Sequence, residues 1–122
     1  MNYLESDNGR KMDGFDNERN DCTIRAAVVR FTTSYRRAHE CFERLGRKQR
    51  QRVSGALVKK FLAYMGVEVI TPSYRLTLNQ FLKTHPTGRF YVVVNKHAIG
   101  INNGICVDLK EPKLRKRVHF YA

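Results

Sequence analysis

A chain of 122 residues with 42% hydrophobic residues suffices for one domain with one modest core. No apolar run nears the ~20 residues of a membrane-spanning helix, and residues 1–21 are too polar and acidic for a secretory signal, so a cytoplasmic protein without membrane association is expected. The formal net charge of +12 is uneven: residues 1–21 hold six acids against three bases, a net of −3, so the other 101 residues carry +15.

Residues 1–19 lack apolar periodicity and are expected to be a flexible acidic tail, leaving residues 20–122 as a single domain. Ile24, Ala27, Val28 and Phe31 recur on one helical face, with Asn20 or Asp21 as the cap. Cys22 then falls in the first turn, beside unpaired N–H groups and the positive end of the helix dipole. A second helix follows Ser34 through Tyr35, Ala38, Cys41, Phe42 and Leu45 to Gly46. A third carries Leu57, Val58, Phe61, Leu62 and Met65 and ends at Gly66. Residues 67–70 are β-branched and predict a short strand. Thr77 and Gln80 form a capping box that opens a helix over residues 78–84, stopped by Pro86 and Gly88. Strands are predicted at 90–94, 98–101, 105–108 and 118–121. Helices followed by a largely antiparallel sheet make an α+β pattern.

The segment KHAIGINNGICVD, residues 96–108, carries the chemistry. Asn103-Gly104 between apolar runs predicts a two-residue type I′ hairpin. That register opposes Ile101 to Cys106 and Ile99 to Asp108. His97, two residues before Ile99, then shares a face with Asp108 as a diagonal neighbour. A carboxylate so placed fixes the tautomer and orientation of a histidine that serves as a base. Cys22, at a helix start where the thiolate is favoured, is the matching nucleophile. Its backbone N–H with an upstream amide side chain can hold an oxyanion. Cys41 and Cys106 are expected to be ordinary packing residues. With no C-x-x-C and no paired histidines, neither a disulfide scaffold nor a metal or other cofactor is expected.

The segments NDCTIRAAVVRFTTSYRRAHECF and LNQFLKTHPTGRFYVVVNKHAIGINNGICVD, in this order, resemble the papain-like cysteine peptidases, in particular small ones of bacteriophages. The likeness spans roughly residues 20–110. It implies a papain-like fold of N-terminal helices packed on a small antiparallel sheet. It also implies acyl transfer at a peptide, isopeptide or amide bond by a Cys-His-Asp triad of Cys22, His97 and Asp108, on a protein or peptide substrate. A phage protein would act in the host cytoplasm. Where many members carry an oxyanion glutamine, six residues before the cysteine, this chain has Asp16. Asn17 and Asn20 are the nearest amide side chains and take that expectation.

Two basic clusters remain. One holds Arg44, Arg47, Lys48, Arg50 and Arg52, the other Lys110, Lys113, Arg115, Lys116 and Arg117. They suit nucleic acid or an acidic protein. The alternative to an enzyme is therefore a non-catalytic phage protein of the same fold that binds a host protein or nucleic acid through this basic surface.

Overall fold

In a computed structural model that describes residues 2–122, α1 (Cys22–Phe31) starts at Cys22 and is buried on nearly every side. The predicted stripe of Ile24 and Ala27 faces the other helices. On the opposite side Ala26 and Val29 meet the sheet at Gly100, where an added Cβ would lie 2.4 Å from Val29 Cβ. Only glycine lets the helix seat this closely.

Three further helices follow: α2 (Tyr35–Arg44), α3 (Gly55–Tyr64) and α4 (Leu78–Thr84). Their starts carry the expected chemistry. Ser34 and Ser54 each accept a backbone N–H three residues on. Thr77 and Gln80 form the reciprocal capping box, at 3.2 and 3.0 Å.

The sheet comprises β1 (Tyr3–Glu5), β2 (Arg89–Val94), β3 (His97–Asn102), β4 (Ile105–Asp108) and β5 (Val118–Tyr121), in the order β1-β4-β3-β2-β5. The Asn103-Gly104 turn has φ of 49° and 77°, as a type I′ turn requires. The register is the predicted one, with Ile101 opposite Cys106 and Gly100 opposite Val107. One sheet face packs Tyr91, Ala98 and Phe120 against α1, α2 and α3. The other packs Val92, Val94, Ile99, Ile101 and Cys106 against Leu78, Phe81 and Leu82 of α4. The architecture is thus α+β, four helices on a five-stranded mixed sheet.

Three expectations need correction. Residues 1–19 are not a flexible tail where they are described: β1 pairs with β4, Phe15 stacks near Tyr35 and His39, and Glu18 is buried. A three-residue strand in polar sequence has no readable period, and backbone pairing to β4 supplies what side chains do not. That β1–β4 pairing is parallel, so the sheet is mixed rather than antiparallel. Residues 67–70 contribute only the single bridge from Ile70 to Tyr121; Val67 and Val69 pack on the core without a ladder.

Candidate functional site

Asp21 ends the loop before α1. Its backbone carbonyl accepts from Ile24 and Arg25, but its side chain makes no cap bond. The carboxylate is buried and instead receives Tyr35 Oη at 2.7 Å, Arg25 Nε at 3.1 Å and Arg10 Nη1 at 3.2 Å. Asp21 therefore anchors the start of α1 from below, and Cys22 inherits that fixed position.

His97 is the first residue of β3 and Asp108 the last of β4. His97 Nε2 and Asp108 Oδ2 lie 2.6 Å apart. The other carboxylate oxygen takes the Leu109 N–H at 2.8 Å and Arg25 Nη1. The buried Arg25 guanidinium thus ties the two carboxylates, Asp21 under the helix and Asp108 on the sheet, into one network. By parity His97 belongs to the α4 face of β3, whereas Cys22 packs with the α1 face. They meet because His97 opens its strand, where its ring stands at the sheet's end. Cys22 lines the same cleft as the His97 ring, and the Ala98 N–H, next along β3, approaches Cys22 Sγ at 3.4 Å. With Nε2 taken by Asp108, Nδ1 is the ring nitrogen left for the thiol.

The electrostatics follow from these contacts. Burial pushes the Cys22 thiol up, but the neighbouring His97, the Ala98 N–H and Arg25 outweigh it, and its pKa is lowered. His97 is raised to about 9, first by its bond to Asp108 and then by the neighbouring Cys22, against desolvation. Burial pushes Asp108 up, yet His97 and Arg25 hold it below the usual carboxylate range. The other thiols behave oppositely. Cys106 is pushed up to about 12 by burial and by Asp108, and Cys41 is raised by burial. Cys22 is the one of the three thiols that its surroundings turn towards thiolate.

Cys22 and His97 line a cleft of about 460 Å³ together with Asn20, Arg52, Val58, Lys96 and His119. Behind the His97–Asp108 pair, a second hollow of about 320 Å³ is lined by Arg25, Ile99, Leu109, Lys110, Lys113 and Lys116.

The structure joins His97 to Asp108, places Cys22 in the cleft that His97 also lines, and sets other expected residues elsewhere. Asn17 is exposed and does not line the cleft. Asn20 lines it, with one N–H of its amide donated to Arg50 O at 3.0 Å and the second left over. The first N–H groups of α1, that of Cys22 included, lie at the same end of the helix as the thiol. Arg47 is not available to a partner. It is buried, with Nη2 3.0 Å from Glu18, whose carboxylate also holds His39 and the Arg50 N–H. A buried carboxylate requires such a cation. Lys48, Arg50, Arg52, Lys113, Arg115 and Arg117 are exposed and Lys116 half-buried. The sequence reading gave Arg25 no role and gave Asp21 only that of a cap. Their i, i+4 spacing was the available signal for an ion pair. Among the described residues no helix is long and apolar enough to cross a membrane. No family model, curated protein or solved structure matches the chain.

Proposed function

We propose that the chain is a small papain-like cysteine peptidase or amidase. The observation that carries this is a thiol at the start of α1 that shares a cleft with a histidine whose Nε2 is held by a buried carboxylate. In the proposed reaction the Cys22 thiolate attacks the carbonyl carbon of an amide. The C–S bond forms and the carbonyl π pair moves to oxygen, facing the first N–H groups of α1. The oxyanion collapses, the C–N bond breaks, and the His97 imidazolium gives its proton to the leaving amine. Neutral His97 then takes a proton from water as that water attacks the thioester. The acid is released and the Cys22–His97 pair restored. Asp108 keeps the ring oriented and favours its charged form.

A non-catalytic role as a binder of nucleic acid or an acidic protein is the second reading, favoured by the exposed cations Lys48, Arg50, Arg115 and Arg117. Incubation with a panel of unstructured polypeptides, read by mass spectrometry, separates the two. The peptidase reading expects cleavage that Cys22→Ala abolishes and Cys41→Ala leaves intact. A panel left uncut, with Cys22 alkylated no faster than Cys41, contradicts it.

A further inference from the structure

Five cations frame the Cys22–His97 pair from two sides. Arg52 and Lys96 line the cleft that holds Cys22. Lys110, Lys113 and Lys116 line the hollow on the far side of His97 and Asp108. Two of them flank the β2–β3 turn that leads straight into His97: Arg52 Nη1 lies 3.4 Å from Lys96 O, and Lys116 Nζ lies 3.4 Å from Asn95 O. Among the described residues none of the five forms an ion pair. Asp21 and Asp108, which also line these cavities, are buried and engaged by Arg25; Glu111 is the one exposed acid there. By contrast, Arg47, Arg25 and Arg10 are each bound to a carboxylate. The cations left without counter-charge thus include a set around the reacting thiol.

We infer that the polypeptide presented to Cys22 is acidic, with carboxylates on both sides of the bond. The inference rests on the peptidase reading and names its substrate class. Arg52 and Lys96 line the cleft itself and the three lysines line the adjoining hollow, with His97 in the wall of both, so their fields add at a bound segment. Polypeptide fits better than nucleic acid. Phe120 is the one Phe, Tyr or Trp lining either cavity, and it is buried, which leaves the small imidazole of His119 as the exposed ring there, short of the run of aromatic platforms on which successive bases stack.

The test is protection of Cys22 from iodoacetamide in the intact protein at low salt. Three probes are compared: a capped seven-residue peptide with four glutamates, its four-glutamine twin, and a seven-nucleotide oligothymidylate. The glutamate peptide is expected to slow alkylation at least about fivefold more than the glutamine twin, the sum of several weak exposed pairs. Raising salt to about 0.5 M removes the difference. R52Q/K96Q and K110Q/K113Q/K116Q each cut it to about twofold or less, whereas R37Q/K60Q/K83Q, which neutralises three exposed cations on α2, α3 and α4, keeps it. Thermal midpoints establish that each variant is folded. Equal protection by the twins, protection by neither, or stronger protection by the oligothymidylate overturns the inference. The rate without any probe is a separate readout: Cys22 reacting no faster than Cys41 defeats the peptidase reading itself.

Discussion

Exchanging Asp108 for Asn keeps the side chain's shape and removes its charge, and two consequences can be worked out. The first concerns His97. Its bond to Asp108 is the largest cause lifting the imidazole from 6.5 to about 9. In Asp108→Asn the ring is therefore expected to titrate at least about 1 pH unit lower, with the Cys22 contact still holding it above the free value. The second concerns Arg25, which is buried and loses one of its two carboxylates. Breaking a buried pair from one side costs about 3 kcal/mol, or about 10 °C in Tm for a domain of this size. The pH dependence has a definite sign. A histidine raised on folding stabilises fully below its unfolded value near 6.5 and loses that contribution as pH climbs through about 9. The stability gap between wild type and variant must therefore be wider at pH 6 than at pH 10. NMR titration of the His97 ring and thermal denaturation at the two pH values measure both effects. A His97 midpoint still near 9 in the variant, or an unchanged Tm, would refute the reasoning.

Other outcomes follow from neighbouring contacts. Gly100→Ala would place a methyl 2.4 Å from Val29 Cβ and 3.0 Å from Ala26 O. It should cost about 1–3 kcal/mol by overpacking, read as a fall in Tm, and Val29→Ala in the same chain should relieve little of it because alanine keeps the clashing Cβ. Glu18 is held at about 2 from 4.5: burial pushes it up, but the Arg47 and His39 hydrogen bonds outweigh that. A lowered carboxylate stabilises above its unfolded value and loses that as pH falls, so Glu18→Gln should flatten the acid unfolding limb between pH 4.5 and 2. Hydrolysis, where measured, should decline on the alkaline side near pH 9 as His97 loses the proton it gives to the leaving amine.

The legible parts of the fold were those set by local chemistry. Asn103-Gly104 dictated a turn, the turn dictated a register, and the register put His97 and Asp108 on one face. Ser34, Ser54 and Thr77 announce helix starts because an orphan N–H wants a side-chain oxygen. What stayed hidden depends on distant partners. Arg47 sits in a run of bases and reads as solvated, yet Glu18, 29 residues earlier, draws it inside. Arg25 lies beside an apolar stripe and reads as a surface residue, but Asp21 and Asp108 converge on it from two elements. Tyr3–Glu5 becomes a strand because β4 offers an open edge, which no local pattern announces. Cys22 was legible as a helix-start thiol; its place in one cleft with His97, across 75 residues of sequence, needed the packing of α1 on Gly100.

The proposed function turns on whether His97 makes Cys22 a thiolate, and the pH dependence of site-resolved alkylation by iodoacetamide measures that directly. Cys22 should reach half its limiting rate at a lower pH than an ordinary thiol, ahead of Cys41 and Cys106. In His97→Ala the midpoint should move up, because burial, the largest cause, is then opposed only by the Ala98 N–H and Arg25. A Cys22 profile that rises only with that of Cys41, or one that His97→Ala leaves in place, would contradict the proposal.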